Sequence, residues 1–170
     1  MKKIVIMFLF VLGLISTIRV EAQMAAATKT VWDLEVKVDV KISKGDLWRL
    51  IIDNEELINY SNQYVKSIKT KGDEGLLREI VFTNGNKRSE TIVQTDYVHK
   101  FLVIKIHKES LPKELKNAEI AIFTKDIDDN NSTITWLAKI EGKKSQKKQL
   151  LDQLKSEFKS YAEGFGTIKK

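Results

Sequence analysis

The sequence of 170 residues contains no cysteine, a single proline and only two histidines. Without cysteine the chain has no disulfide bond, no thiolate metal ligand, no thiol nucleophile and no cysteine for lipid attachment. Its fold must therefore be stabilised by the burial of apolar surface. The sequence also has no Gly-x-Ser-x-Gly nucleophile elbow and no glycine-rich phosphate-binding loop. These absences argue against serine and cysteine hydrolases and against a phosphate-loop nucleotide site.

The two histidines, His99 and His107, do not indicate a metal or catalytic site. Neither has a second histidine or a carboxylate at the spacing of a metal site. General acid–base catalysis requires a positioned partner, and the sequence shows none. His107 stands at the end of a predicted strand and could face the mouth of a cavity near Glu109. We predict no metal, no cofactor and no catalytic residue, and we favour binding over catalysis.

Charged residues are abundant and mixed in sign. The chain has 29 basic and 23 acidic residues, with a formal net charge of +6. One dense basic run, Lys143, Lys144, Lys147 and Lys148, stands at the start of the last predicted helix. It could contact phosphate or anionic lipid head groups, although a solvated helix face is the simpler interpretation. Because no aromatic stacking residues lie beside it, we predict no nucleic-acid binding.

Residues 1–22 have the pattern of a signal peptide. Two lysines precede the apolar stretch Ile4–Ile15, and Val20-Glu21-Ala22 offers the small residues that signal peptidase requires. The stretch is shorter than the roughly 20 residues that span a bilayer, which argues against a retained anchor. We predict cleavage after Ala22, with Ala25–Ala27 as the alternative, and a periplasmic or secreted product without a stable membrane anchor.

After a flexible lead-in at residues 23–29, residues 30–170 are predicted to form a single domain. Between Thr30 and Ile42 apolar residues occupy every second position, as in a strand with one buried and one solvated face. Ser43 is a typical N-cap residue for a short helix. The Asp53–Asn54 pair predicts a break before a second short helix, Glu55–Tyr60.

Six further strands are predicted from a period of two. They are Tyr64–Thr70, Leu76–Thr83, Lys87–Asp96, Lys100–Lys108, Ala118–Lys125 and Thr133–Gly142. Turn-forming residues separate them, and Asn84-Gly85 is a strong hairpin signal. The segment Ser110–Asn117 contains the only proline, Pro112, and predicts a long connection. It is either a lid at a cavity mouth or a plain crossover.

The chain ends in a predicted amphipathic helix from Ser145 to Phe165. Its apolar stripe consists of Leu150, Leu151, Leu154, Phe158, Tyr161 and Phe165. A long first strand, a strand-rich middle and one large helix predict an α+β fold in which an antiparallel sheet wraps around the C-terminal helix. Such a cup tends to keep a cavity between its two parts.

Several short strings follow one another in an order and spacing typical of one superfamily. They are Asp46–Asp53, Tyr60 and Val65–Ile68, then Arg78, Asn84-Gly85, Glu90 and Asp96, and finally Ser132–Trp136. Together they resemble the SRPBCC superfamily, which has the Bet v 1-like, START-like helix-grip fold, and in particular its polyketide cyclase/dehydrase branch. The resemblance extends from about Thr30 to Phe165, essentially the whole mature chain. Tyr60 stands where many relatives have a tryptophan, and Ala118 where many have an aromatic hydroxyl.

The resemblance implies a seven-stranded antiparallel sheet that grips a long C-terminal helix, with two short helices after the first strand. Members of the superfamily bind lipids, sterols, polyketides, plant hormones or other apolar molecules, and some are enzymes. The resemblance therefore implies a cavity more strongly than it implies a particular chemistry.

Strand alternation and the helix stripe select the residues that would line such a cavity. The predicted ligand-binding residues are Arg78, Ile80, Phe82, Glu90, Ile92, Leu102, Ile104, Ile120, Ile122, Trp136, Phe158 and Tyr161. A packed core would bury most of the same side chains, so sequence alone does not separate lining from packing.

Arg78 and Glu90 are the charged members of this set. They lie on neighbouring strands across the Asn84-Gly85 turn, and both share a strand face with apolar residues. Because a buried charge must be paired, we predict that they contact each other inside the cup. The pair is either a polar anchor for a ligand carboxylate or hydroxyl, as the resemblance suggests, or a self-satisfied tie between two strands.

Three functions fit the sequence. The first is an exported binding protein for an apolar or amphipathic small molecule, such as a lipid or polyketide. The second is a polyketide cyclase/dehydrase-like enzyme. The third is an envelope interaction protein whose cup is filled by its own side chains.

Overall fold

The alternating segments form strands and the amphipathic segments form helices in a computed structural model that describes residues 30–72 and 76–168. The predicted signal peptide and lead-in lie outside these residues. From Trp32 onwards the chain forms one compact unit. Within the described ranges the elements are β1 Leu34–Val40, α1 Lys44–Ile52, α2 Asn54–Asn59, β2 Val65–Lys71, β3 Leu77–Phe82, β4 Lys87–Asp96, β5 Phe101–Ile106, β6 Leu115–Asp128, β7 Asn131–Gly142 and α3 Lys144–Gly166.

The strands form one antiparallel sheet in the order β1-β7-β6-β5-β4-β3-β2. Helix α3 packs against β1 and β7. The short helices α1 and α2 follow β1, and α1 contacts β6 and β7 while α2 contacts β2. The predicted α+β fold, with a seven-stranded sheet around the last helix, is confirmed.

Local chemistry explains the two short helices. The Ser43 hydroxyl accepts a hydrogen bond from the backbone N–H of Asp46 at 3.1 Å, as an N-cap does. Asp53 ends α1 and also caps α2, because its carboxylate accepts the backbone N–H groups of Glu55 and Glu56 at 2.9 and 3.2 Å. The predicted break at Asp53–Asn54 is therefore present.

The β3–β4 hairpin forms at the predicted turn. Gly85 has a φ of +85°, which a residue without a Cβ adopts readily. The Asn84 side chain accepts the backbone N–H of Asn86 at 3.0 Å, and the backbone N–H of Phe82 donates to the Asn86 carbonyl at 2.9 Å. This turn fixes the register that places Arg78 directly opposite Glu90.

The segment predicted as a long connection is mostly structured. A 3-10 turn covers Lys108–Ser110, and β6 already begins at Leu115 rather than at Ala118. The earlier start arises because Leu115 and Asn117 pair with Gly142 and Glu141 across a register shift. The loop between the two elements is therefore shorter than the sequence predicts.

Candidate functional site

The inner face of the sheet and the facing side of α3 enclose a small void. Nine of the twelve predicted residues line it, namely Arg78, Ile80, Glu90, Ile104, Ile120, Ile122, Trp136, Phe158 and Tyr161. Three residues that sequence reasoning missed complete the lining: Leu57, Arg88 and Glu157. The predicted set therefore identifies most of this surface but omits half of its charges.

The other three predicted residues, Phe82, Ile92 and Leu102, do not line the void. The Phe82 ring packs against Tyr64, with ring centroids 5.6 Å apart, and lies under the Arg88 guanidinium at 5.2 Å. Leu102 is buried in the core. Ile92 is only partly buried because the register between β4 and β5 shifts directly after it.

The void has a volume of about 20 Å³. That is room for one water-sized group. Aromatic rings occupy much of the space around it, and the Trp136 ring centroid lies 6.5 Å from that of Phe158 and 6.3 Å from that of Tyr161. In this conformation the cup is therefore filled largely by the protein's own side chains.

Four charged side chains, Arg78, Arg88, Glu90 and Glu157, form a buried cluster beside the void, which we call the charged cluster. Each side chain is at most 5% exposed. One oxygen of Glu90 accepts a hydrogen bond from Arg78, and the other accepts from Nε of Arg88 at 2.8 Å. Arg88 also donates two parallel bonds to Glu157, at 2.6 and 2.8 Å. The predicted contact between Arg78 and Glu90 is thus present, as part of a larger neutral network.

The secondary structure positions each member of the charged cluster. Arg88 and Glu90 are two residues apart on β4 and so share its inner face, and Arg78 lies opposite Glu90 on β3. Glu157 comes from α3, where it follows Leu154 by three residues and precedes Tyr161 by four. The two members of the charged cluster that were not predicted still had a sequence signal. Arg88 follows the two-residue period of its strand, and Glu157 lies on the apolar stripe of its helix.

One polar atom of the charged cluster has no partner. Within residues 30–72 and 76–168, no group accepts a hydrogen bond from Nε of Arg78. Its Nη1 atom reaches the side-chain oxygen of Asn54 only at 3.5 Å. A buried donor without a partner costs stability, so this atom marks a place where a further acceptor would be stabilising.

The electrostatics keep Glu90 and Arg88 ionised. Burial alone would raise the pKa of Glu90, but Arg88 and Arg78 outweigh burial and hold that pKa below its ordinary value of 4.5. Burial would lower the pKa of Arg88, but Glu157 and Glu90 outweigh it and raise that pKa. Burial, and then the charge of Glu157, raise the pKa of Tyr161. The Tyr161 phenol is therefore a neutral donor at physiological pH.

Acid should destabilise the protein through Glu90. Because the folded state lowers the pKa of Glu90, the unfolded chain takes up this proton more readily. The stabilisation that ionised Glu90 contributes is complete above pH 4.5, the ordinary pKa. It is lost as the pH falls through the lower pKa that Glu90 has in the folded state. We expect urea midpoints to decrease between pH 5 and pH 3, and to decrease less for Glu90→Gln. An equal decrease in both proteins would contradict this assignment.

A groove of about 250 Å³ adjoins the charged cluster on the outside. It lies between the β3–β4 turn, the loop after the 3-10 turn and α3, and it is lined by Asn86, Lys87, Arg88, Glu109, Ser110, Leu111, Pro112, Leu150 and Gln153. Arg88 lines both the groove and the void, and its side chain is 4% exposed. Arg88 therefore separates the surface groove from the interior.

His107 lies beside this groove and not in the charged cluster. Its Nδ1 atom is 3.2 Å from Glu109, and its Nε2 atom is 2.6 Å from the hydroxyl of Thr91. Thr91 follows Glu90 on β4 and pairs with the exposed Lys105, so it belongs to the outer face of the sheet. His99 bonds to Asp96 at 2.8 Å on the surface.

The basic run at the start of α3 is largely paired. Lys143 contacts Glu114 at 3.1 Å, Lys147 contacts Asp33 at 2.6 Å, and Lys148 contacts Asp152 at 3.4 Å. In the described ranges no group of three or more histidine, aspartate or glutamate side chains is arranged to hold a metal ion. Of the helices in this part of the chain, none has the length and apolar character to cross a membrane.

Comparison with solved structures places this geometry among known folds. The protein XoxI from Bacillus cereus superposes with a TM-score of 0.68 at 15% identity, over 78% of this chain and 92% of that one. The di-domain aromatase/cyclase BexL from the BE-7585A biosynthetic pathway gives a TM-score of 0.67 at 6% identity, over 78% of this chain and 44% of BexL. Norcoclaurine synthase from Thalictrum flavum, solved with dopamine and hydroxybenzaldehyde, gives a TM-score of 0.60 at 13% identity, over 81% of this chain and 88% of the synthase.

The chain has the Bet v 1-like helix-grip fold. No protein-family model matches its sequence, and no curated protein matches it. In this helix-grip fold the void lies between the gripping sheet and α3, with the charged cluster at one side of it and the groove outside.

Proposed function

We propose that this helix-grip protein binds an apolar or amphipathic small molecule between the sheet and α3. The observation that carries the proposal is a buried charged cluster set in an otherwise apolar surface. Such a surface suits a ligand with an apolar body and one polar end. Isoleucines, Trp136 and Phe158 would contact the body, while Arg78, Glu90 and Tyr161 would orient the polar end.

Binding requires the cup to open. A drug-sized ligand occupies a pocket of roughly 300–1,000 Å³, whereas the void holds about 20 Å³. The groove lies directly outside Arg88, and its walls come from α3 and the loop at Ser110–Pro112. An outward shift of α3 or of this loop would join the groove to the void and provide the missing volume.

The proposal includes export. The N-terminal pattern of two lysines, an apolar stretch and a small-residue cleavage site supports it. A periplasmic or secreted binding protein without disulfides has to be stabilised by its own core, and the packed interior is consistent with that requirement.

A neutral fluorescent probe tests the binding site. N-phenyl-1-naphthylamine fluoresces strongly only in apolar surroundings, so we expect saturable, equimolar fluorescence with the mature protein. Ile122→Trp, which fills the cup, should weaken binding at least tenfold. Its sequence neighbour Phe123 is 37% exposed, so Phe123→Trp is the matched control and should leave binding unchanged. Circular dichroism establishes that both variants fold.

Absence of saturable binding would contradict the proposal, as would equal effects of the two substitutions. Either result would favour the alternative function of an interaction protein whose cup is filled by its own side chains. The small size of the void favours that candidate. So does the exposure of apolar side chains at the β4–β5 turn, where Tyr97 and Val98 are 67% and 81% exposed.

A cyclase-like enzyme has less support from this geometry. Both oxygens of Glu90 already accept hydrogen bonds from guanidinium groups. Its lowered pKa makes it a weak base. An enolisable substrate would therefore find no free proton acceptor at this carboxylate.

A further inference from the structure

The contact between Arg88 and Glu157 has the geometry of a bound ligand carboxylate. Two parallel N–H···O bonds of 2.6 and 2.8 Å join the guanidinium to both oxygens of Glu157. This is the arrangement by which arginine recognises a carboxylate or phosphate group. Glu157 is part of α3 and Arg88 is part of β4, so the bond joins the two layers that a ligand must separate.

Arg88 would remain partly paired if Glu157 left. Its Nε atom donates to Glu90 at 2.8 Å, independently of the two bonds to Glu157. The guanidinium would then present two free donors towards an incoming anion. The buried Nε of Arg78 lies in the same cluster and has no acceptor in the described part of the chain. The incoming anion would offer this atom a hydrogen-bond acceptor.

The outer groove comes within one helical turn of Glu157. Gln153, one helical turn earlier on α3, lines the outer groove together with Lys87 and Arg88. A released Glu157 carboxylate could therefore be hydrated in the groove. Without hydration there, displacement would leave an unpaired buried charge, which is strongly unfavourable.

We propose that the ligand carries an anionic group, and that this group takes the place of Glu157 on Arg88. Glu157 is then an internal competitor that holds α3 on the sheet until an anionic amphiphile replaces it. This inference rests on the proposed binding function and specifies the ligand class and the exchange that admits it.

Decanoate and 1-decanol, which share one apolar chain, test the exchange by titration calorimetry. Wild-type protein should bind decanoate at least tenfold more tightly than decanol. In Glu157→Gln the competitor loses its charge, so decanoate affinity should rise about tenfold while decanol affinity stays the same. Asp152→Asn removes an equal charge from the surface of the same helix, and it should change neither affinity.

The outcomes separate this inference from the proposed function. If decanoate and decanol bind equally, and Glu157→Gln changes neither, the anion exchange is wrong and the binding function stands. If neither probe binds, both are wrong. Should Glu157→Gln fail to fold, the double variant Arg88→Met/Glu157→Met replaces it. That variant should lose the preference for decanoate over decanol, and a retained preference would overturn the inference.

Discussion

Replacing Arg88 with methionine should destabilise the protein by about 3–5 kcal/mol. The substitution removes three buried hydrogen bonds at once, one to Glu90 and two to Glu157. It leaves two buried carboxylates with one guanidinium between them. Within the described residues, Glu157 has no other cation at salt-bridge distance. Urea unfolding at neutral pH measures the loss.

The double variant Arg88→Met/Glu157→Met is the control for this prediction. It removes one charge of each sign and leaves Arg78 paired with Glu90. Replacing a buried ion pair with apolar residues of similar size is often neutral or stabilising, so the double variant should be close to wild type. If Arg88→Met alone were neutral, the charged cluster would not contribute to folding as the geometry indicates.

Substituting Gly164 with alanine should destabilise the protein by about 2–3 kcal/mol. A Cβ at this position would lie 2.0 Å from the backbone carbonyl oxygen of Tyr60. Backbone cannot rotate away as a side chain can, so α3 would have to move from the turn after α2. The usual gain of about 1 kcal/mol from replacing a helical glycine with alanine is too small to offset this clash.

Gly166, two residues further along α3, is the matched control for this second prediction. A Cβ there would meet only a methyl group of Val38, at 4.0 Å, which is an ordinary contact. We expect Gly166→Ala to change the free energy of unfolding by less than about 0.5 kcal/mol. Equal effects of the two substitutions would contradict the close approach of α3 to Tyr60.

The sequence predicts the layers of this fold well because their signals are local. Alternation from Thr30 to Ile42 reflects one buried strand face, and the Asn84-Gly85 turn determines the pairing of β3 with β4. That pairing in turn explains why the contact between Arg78 and Glu90 could be predicted. Boundaries were less accurate where pairing continues past a bulge, as at the start of β6.

The charged cluster was only half predicted. Arg88 and Glu157 lie on the expected inner faces of β4 and α3, but neither is among the predicted ligand-binding residues. Their contact joins residues 69 positions apart, and no local pattern reports such a distance. The volume of the void is likewise a small difference between the space inside the sheet and the side chains that fill it, and periodicity does not determine it.

Native mass spectrometry of the protein purified from the cells that produce it shows directly whether the protein carries a ligand. We expect a native mass that exceeds the denatured mass reproducibly, with the excess lost on denaturation and identified as an anionic amphiphile. The denatured mass should also correspond to a chain that begins at Gln23. Equal native and denatured masses, unchanged after incubation with a lipid extract of the same cells, would contradict a ligand carried between the sheet and α3.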